Sequence, residues 1–215
     1  MLAWEELEGA LSQKRGSLAL KRAMDIVLSL VGIVVLSPLL ALIAAAVAID
    51  SPGGVFYRQV RVGRGGRTFR IFKFRTMVSD ADKRGLLITV GADARVTRVG
   101  RILRKTKLDE LAQLLNVLKG DMSFVGPRPE VPRYVALYTP AQRSVLLVRP
   151  GITDYASVAY RDENERLRDA ADPERVYIEE IMPAKLELNR QYLSQISVWT
   201  DIRLILRTVA AVVRG

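Results

Sequence analysis

The chain has 215 residues, with 33 lysine and arginine residues against 23 acidic ones, a formal net charge of +10, and neither histidine nor cysteine. These absences exclude disulfides, thiol nucleophiles, imidazole bases and the usual zinc ligands, so a metal must be bound through oxygen, as Mg²⁺ prefers. The excess positive charge lies in residues 51–120, which hold 16 basic and five acidic residues. Such a field attracts the phosphates of nucleic acids, lipids or nucleotides alike.

The N-terminal part predicts two membrane elements. Residues 1–22 mix apolar and charged side chains in the pattern of a short interfacial helix. An uncharged run of 24 residues follows, Ile26–Ile49, which would reach roughly 36 Å as a helix and could cross a bilayer. We therefore assign residues 23–50 to a membrane helix. A secretory signal peptide is the weaker interpretation, because the run is longer than a signal core and no small-residue cleavage site precedes Ser51.

Ser37 and Pro38 lie at the midpoint of this run. Proline removes one backbone hydrogen bond and predicts a kink, for which the Ser37 hydroxyl is a suitable partner. Four basic residues flank the run on each side within twenty residues, whereas a spanning helix normally has an excess on its cytoplasmic side. The pattern therefore favours a re-entrant helix with both ends in the cytoplasm, and an ordinary spanning helix remains the alternative.

Residues 51–215 are predicted to form a compact catalytic domain on the cytosolic face. Val55–Met77 predicts a basic β-hairpin around Gly63–Gly66. The leucines from Leu108 onward have the period of an amphipathic helix that closes at Gly120, with Thr106 as its N-cap. Ser197–Arg214 predicts an amphipathic helix at the membrane surface. The fold class is mainly α with a small β-hairpin (α+β).

Asp109 and Glu110 are the candidate catalytic residues. They occupy the first turn of the predicted helix, directly after a run of basic residues. In the structural interpretation, Thr106 and Asp109 belong to an ordinary capping box. In the functional one, the helix dipole and the nearby cations keep Asp109 ionised as a nucleophile toward phosphorus, and Glu110 holds a Mg²⁺ ion that bridges a diphosphate. The two interpretations are compatible.

Basic residues near two further motifs are candidates for phosphate contacts. Two prolines stiffen Gly126-Pro127-Arg128-Pro129, so that Arg128 can fork onto a phosphate with little loss of entropy, although the motif alone also suits a stiff loop. Lys73 and Arg75 lie on the hairpin and suit either a solvated face or a phosphate-binding surface. Arg149-Pro150-Gly151 repeats the combination of arginine and proline.

Five features in this order resemble the bacterial sugar transferase family of small monotopic polyprenyl-phosphate phosphoglycosyl transferases. They are the Ser-Pro-broken segment, KFRTM from Lys73, LRKTKLDEL from Leu103, GDMSFVGPRP from Gly120 and RPGIT from Arg149. Each is weak alone, but the ordered set is specific and extends from about residue 20 to the C-terminus.

The resemblance implies a reaction and a set of residue roles. Asp109 would attack the β-phosphate of a UDP-sugar, releasing UMP and leaving a covalent phosphosugar that polyprenyl phosphate collects. Glu110, with Asp109, would serve a Mg²⁺ site. Substrate phosphates would be contacted by basic residues at four matching positions: Lys73, Arg104, Arg128 and Arg161. It also implies a re-entrant helix broken at Ser37-Pro38, a location in the bacterial inner membrane with the catalytic domain on the cytoplasmic face, and contact with membrane lipids.

Some expectations stay open. Asp154 and Tyr155 follow the RPGIT motif where the family often has glycine and tryptophan, so that loop has its own shape. The sugar, the pathway and homo-oligomer formation are undetermined. A membrane-anchored basic module that binds anionic lipid or nucleic acid would explain the charge but not the ordered motifs, and the sparse aromatic residues argue against nucleic acid. A glycosyl transferase that moves only the sugar would release UDP instead of UMP.

Overall fold

The computed structural model describes residues 4–79, 81, 93–160, 167 and 170–213. As the sequence predicts, the protein is mainly helical and has a small antiparallel hairpin. The α-helices are α1 (Trp4–Gln13), α2 (Arg15–Asp50), α3 (Arg98–Thr106), α4 (Leu114–Lys119), α5 (Pro132–Val135), α6 (Tyr155–Ala159), α7 (Pro173–Val176), α8 (Met182–Ser194) and α9 (Val198–Val213). The strands are β1 (Phe56–Val62), β2 (Thr68–Phe74), β3 (Ser123–Val125) and β4 (Gly151–Thr153), and 3₁₀ segments span Arg64–Gly66, Leu108–Gln113 and Gln142–Leu147.

Helix α2 carries the long apolar run and is long and apolar enough to cross a membrane. It begins at Arg15, earlier than the expected residue 23, and contains Pro38 within its helical span. Pro38 has no N–H to donate to Val34, four residues earlier, and the Ser37 hydroxyl donates to that carbonyl at 2.8 Å. The predicted role of Ser37 is confirmed, and the re-entrant break stays a prediction.

Both halves of α2 contact the same domain. Near its beginning, the Lys21 ammonium donates to the backbone carbonyl of Val125 at 2.8 Å. Near its end, Ile43 and Val47 are buried in a cluster with Phe74 and Leu103. The opposite face stays exposed and apolar along the helix, at Leu30, Val34, Val35 and Leu42 among others. One side of α2 is therefore fixed to the domain, while the other presents an apolar surface.

The hairpin determines where its basic residues lie. Strands β1 and β2 pair antiparallel from Phe56 with Phe74 to Val62 with Thr68, which confirms the predicted hairpin. The buried side chain of Asn116 joins β2 to α4, because its amide accepts from Phe72 N at 2.8 Å and donates to Arg70 O at 2.9 Å. These bonds fix the Lys73 end of β2 against α4, which directly follows the segment that carries Asp109.

Two terminal helices close the domain. Leu7 and Leu11 of α1 are buried with Leu193 and Ile196, so the leucines of this predicted interfacial helix contact protein, and membrane contact by residues 1–22 stays a prediction. Helix α9 confirms the amphipathic helix expected over Ser197–Arg214. Its buried residues include Asp201 and Leu204, whereas the outward face presents Trp199, Leu206 and Val209.

Candidate active site

The turn before Asp109 differs from the expected helix cap. Thr97 caps α3, its hydroxyl accepting from Gly100 N at 3.0 Å, and α3 continues through Thr106. The Thr106 hydroxyl donates backwards to Ile102 O at 2.8 Å, so the predicted N-cap at Thr106 is wrong. Lys107 instead takes a left-handed conformation with φ of 58°, at a cost of roughly 1 kcal/mol for a residue with a side chain. This reversal ends α3 and starts the 3₁₀ segment.

Glu110 brings together the cations of two distant motifs. Its Oε1 accepts from the Lys73 ammonium at 2.8 Å and from the Arg128 guanidinium at 2.6 Å. Burial acts to raise the pKa of the Glu110 carboxyl, but the charges and hydrogen bonds of Arg128 and Lys73 outweigh it and hold that pKa well below its usual range. Glu110 is therefore ionised and fixes both cations.

Asp109 lies beside this cluster in a different environment. It is only 7% exposed, and its Oδ1 is buried with no hydrogen-bond partner among the described residues. Burial raises the pKa of the Asp109 carboxyl, and the charge of Lys73 acts against that rise. The cations therefore oppose the rise in pKa, as expected, but desolvation is the larger effect. A desolvated carboxylate oxygen without a partner is a reactive arrangement.

Arg104 is the third cation near Asp109. Burial lowers the pKa of its guanidinium, and the charge of Asp109 acts to raise it. Its Nε donates to the Thr76 hydroxyl at 2.8 Å, across a close contact between α3 and the backbone of Thr76. A Cβ on Gly100 would lie 2.1 Å from Thr76 O, so glycine permits that approach.

One predicted substrate-binding residue, Arg75, does not join this cluster. Arg75 is buried and donates to the backbone oxygen and the hydroxyl of Ser51, at 2.7 and 3.0 Å. These bonds connect Arg75, directly after β2, to Ser51, directly after α2. Because the buried guanidinium makes this structural contact, the structure does not support substrate contact by Arg75. Arg161 lies outside the described residues.

Gln113 is a neighbour that the sequence analysis missed. It is 1% exposed, and its Nε2 is a buried donor with no partner in the described part of the chain. The 3₁₀ segment carries both Gln113 and Asp109, but a 3₁₀ helix has three residues per turn, so their spacing of four residues gave no signal that they act together. Buried polar atoms normally have partners, so two orphaned atoms on one segment mark a site for a polar ligand.

The residues present fit a hard divalent cation in one particular way. Among the residues described, no group of three or more acidic, histidine or cysteine side chains converges. Asp109 and Glu110 are the adjacent carboxylates, and Mg²⁺ is commonly held by one or two carboxylates together with substrate phosphates and water. The orphaned Asp109 Oδ1 is an oxygen suited to such a ligand.

Comparison with known proteins decides the family. The bacterial sugar transferase profile matches residues 16–215. The chain belongs to the bacterial sugar transferase family. The matched part contains the five predicted residues that the structure groups at the candidate site: Lys73, Arg104, Asp109, Glu110 and Arg128.

Three curated bacterial sugar transferases illustrate the similarity. A UDP-N-acetylgalactosamine-undecaprenyl-phosphate N-acetylgalactosaminephosphotransferase of Aeromonas hydrophila is 38% identical over 91% of this chain and 44% of its own length. UDP-glucose:undecaprenyl-phosphate glucose-1-phosphate transferases are 39% identical over 88% of this chain in both Escherichia coli K12 and Caulobacter vibrioides, covering 39% and 68% of those proteins. The chain thus spans less than half the length of the first two relatives.

Proposed function

We propose that this protein transfers a sugar 1-phosphate from a UDP-sugar to undecaprenyl phosphate, with Asp109 as the nucleophile. The observation that carries the proposal is the buried Asp109 Oδ1, which has no hydrogen-bond partner among the described residues and lies beside cations that Glu110 holds in place. The names of the related proteins give the same two classes of substrate. The sugar differs among those relatives, so it stays open for this chain.

The proposed reaction has two displacements at one phosphorus atom. In the first, an Asp109 carboxylate oxygen attacks the β-phosphorus of the UDP-sugar, the bond from that phosphorus to the bridging oxygen breaks, and UMP leaves with the electron pair. In the second, an oxygen of polyprenyl phosphate attacks the same phosphorus and the aspartyl oxygen leaves. The second nucleophile is already an anion, so neither displacement requires a histidine base.

The surrounding cations have separate tasks in this scheme. Phosphoryl transfer is catalysed mainly by positioning and by stabilising charge on the phosphate oxygens. Glu110 holds Lys73 and Arg128 together, and Arg104 approaches Asp109 from α3. These three side chains come from different elements and face the carboxylate pair. They are placed to neutralise a diphosphate and to keep Asp109 ionised despite its burial.

Mg²⁺ is the cofactor that we propose for this site. Asp109 and Glu110 would hold it, and its chemistry when bound is to neutralise charge on the diphosphate. Glu110 Oε1 already accepts from two cations, so Glu110 Oε2 and one oxygen of Asp109 would hold the ion, and the other Asp109 oxygen would be left for the attack. This arrangement leaves room for substrate phosphates as further ligands.

We further propose that α2 is re-entrant and that the catalytic domain faces the cytoplasm at the inner membrane. We base this on the contacts of Lys21 and Val47 with the same domain, because a helix that contacts one domain near its two ends is expected to have both ends on that domain's side of the membrane. The chain has no cysteine, so single cysteines can replace Gln13 and Gly54 on either side of α2. We expect neither to react with a membrane-impermeant maleimide in spheroplasts. Labelling of only one of them would contradict the re-entrant topology and support a spanning helix.

The reaction is tested by its nucleotide product. The purified chain in nanodiscs, with Mg²⁺ and undecaprenyl phosphate, is incubated with a panel of UDP-hexoses and UDP-N-acetylhexosamines. We expect UMP release with at least one of them, together with a lipid diphosphate product. Release of UDP would assign the protein to transferases that move only the sugar, and the absence of any nucleotide product would favour a binding module.

A further inference from the structure

A second basic region of the protein surrounds a cavity of about 250 Å³. The cavity lies where α1, the beginning of α2, the hairpin turn and the segment before β4 meet. Its lining includes five cations, Arg15, Lys21, Arg22, Arg64 and Arg149. The acidic residues of the lining are Glu8 and Asp25. None of the residues grouped around Asp109 and Glu110 belongs to the lining, so we call this region the N-terminal cavity.

The positive charge of the N-terminal cavity is only partly neutralised. Lys21 is committed to a buried ion pair with Asp201. Asp25 is buried and accepts from the Ser123 hydroxyl and Phe124 N, both at 3.1 Å. Glu8 is therefore the remaining acidic residue of the lining that could balance the four arginines. None of these arginines forms an ion pair with a carboxylate in the described part of the chain. The cavity therefore has a local excess of positive charge.

The structure holds these arginines close together. Arg22 donates to the carbonyls of Val117 and Leu118, at 2.6 and 3.0 Å, and Arg149 donates to that of Gly120 at 2.9 Å. Carbonyl contacts orient a guanidinium without cancelling its charge. Burial lowers the pKa of Arg149, and the charges of Arg22 and Arg64 lower it further. A set of mutually repelling arginines held in place favours binding of an anion.

Two sequence motifs that the Asp109 site does not use meet here. Arg64 belongs to the glycine-rich hairpin turn, whose Gly65 and Gly66 have φ of 68° and 75°. Arg149 opens the Arg149-Pro150-Gly151 motif. The hairpin turn lies at the far end of β2 from Lys73, roughly 17 Å along the strand for the five steps from Thr68 to Lys73. The N-terminal cavity is therefore separate from the catalytic cluster.

The position of the cavity identifies the kind of anion. Arg15 and Arg22 lie in α2 before its uncharged run, and the nearby apolar residues Leu20 and Val27 are 61% and 58% exposed. Apolar side chains share the lining with the arginines: Leu11, Leu18, Leu147, Val148 and Ile196. Cations beside apolar side chains at the beginning of a membrane segment match a molecule that has both a phosphate and acyl chains.

We propose that the N-terminal cavity binds the phosphate headgroup of an anionic membrane phospholipid and so fixes the beginning of α2 at the membrane surface. Arg22 and Arg149 form the rigid part of the site, and Arg64 and Arg15 close it from the hairpin turn and from α2. This role goes beyond the proposed transferase activity and does not depend on it, because it concerns binding of a lipid that is not consumed.

The test uses the full chain in detergent, without UDP-sugar, and measures binding of phosphatidylglycerol and phosphatidylcholine by native mass spectrometry. Arg15→Gln combined with Arg64→Gln removes two exposed cations of the cavity. Arg67→Gln combined with Arg70→Gln is the matched control, because it removes two exposed arginines from the same hairpin outside the cavity. We expect the wild type to prefer phosphatidylglycerol, the cavity variant to bind it about tenfold more weakly, and the control to change by less than about twofold.

Each other result overturns the proposal in a defined way. Equal binding of the two lipids, or equal losses in both double variants, would leave only bulk electrostatic attraction. Inorganic phosphate that displaces phosphatidylglycerol at similar concentration would make the cavity a free-phosphate site. Undecaprenyl phosphate that binds more tightly than phosphatidylglycerol, with a raised acceptor KM in the cavity variant, would assign the cavity to the acceptor substrate.

Discussion

The two ends of the β-hairpin use positive charge in opposite ways. At the base, Lys73 and Arg128 both pair with Glu110. The adjacent carboxylate, Asp109, is buried, and one of its oxygens has no hydrogen-bond partner in the described part of the chain. At the turn, Arg64 joins a cavity in which arginines outnumber carboxylates. The number of basic residues alone does not distinguish the base of the hairpin from its turn. The difference shows that a paired cluster beside an orphaned carboxylate suits chemistry, whereas an excess of cations suits anion binding.

The largest effect is expected at the base of the hairpin. Asp109→Asn removes the proposed nucleophile and should lower UMP release by at least about 10³-fold. Glu180→Gln is the control, because it removes an exposed carboxylate between α7 and α8, away from the cluster, and should leave turnover within about twofold. Near-normal turnover in Asp109→Asn would exclude Asp109 as the nucleophile.

The same variant should change stability in the opposite direction. Because burial raises the pKa of Asp109, the ionised carboxyl destabilises the folded state at neutral pH, and a neutral amide relieves this. We expect Asp109→Asn to have a higher Tm than the wild type at pH 7. The gain in Tm should disappear at a pH well below 3.8, the ordinary pKa of an aspartate carboxyl, because the carboxyl is then protonated in the folded and unfolded chain alike. A lower Tm at pH 7 would show that the carboxylate has stabilising contacts.

A smaller effect is expected at Lys73, which donates to Glu110 and whose charge also acts on Asp109. Lys73 opposes the rise in the Asp109 pKa, so Lys73→Gln should raise that pKa further. Because the nucleophile must be ionised, activity is lost as pH falls through its pKa, and the acid limb of kcat/KM should move to higher pH. Arg58→Gln removes an exposed cation from the same hairpin and should leave the limb in place. An unmoved limb in Lys73→Gln would mean that another group controls it.

The smallest effect is expected at the turn. Arg64→Gln should change kcat by less than about twofold, because the N-terminal cavity lies apart from the reacting groups. UMP release measured at saturating UDP-sugar and undecaprenyl phosphate checks this. A large fall in kcat would show that the two ends of the hairpin belong to one functional site, which would contradict the difference described between them.

Local sequence signals predicted the elements but not every connection between them. The hairpin, the closure of α4 at Gly120 and the contact of Ser37 with the carbonyl freed by Pro38 follow from backbone chemistry that neighbouring residues determine. The predicted cap at Thr106 failed because Lys107 takes a left-handed conformation, which threonine followed by lysine does not signal. Local backbone structure can thus be predicted from the sequence where glycine and proline determine it.

Contacts between distant segments were predictable only where motifs carried them. The sequence identified Lys73 and Arg128 as candidates, but not that one oxygen of Glu110 accepts from both. It could not distinguish Arg75 from Lys73, because both lie at the end of β2, and only packing sends Arg75 to Ser51. The N-terminal cavity joins residues from five separate stretches of the chain, and no local sequence pattern predicts that they lie together.

The central claim, covalent participation of Asp109, is tested most directly by the mass of the intact protein. The purified chain is mixed with Mg²⁺ and a UDP-sugar that supports UMP release, in the absence of polyprenyl phosphate. The account predicts a mass increase of one phosphosugar, release of up to one equivalent of UMP, and loss of the adduct on adding undecaprenyl phosphate, with no adduct in Asp109→Asn. An adduct that persists in Asp109→Asn, or UMP release that requires the acceptor and leaves the protein mass unchanged, would contradict it.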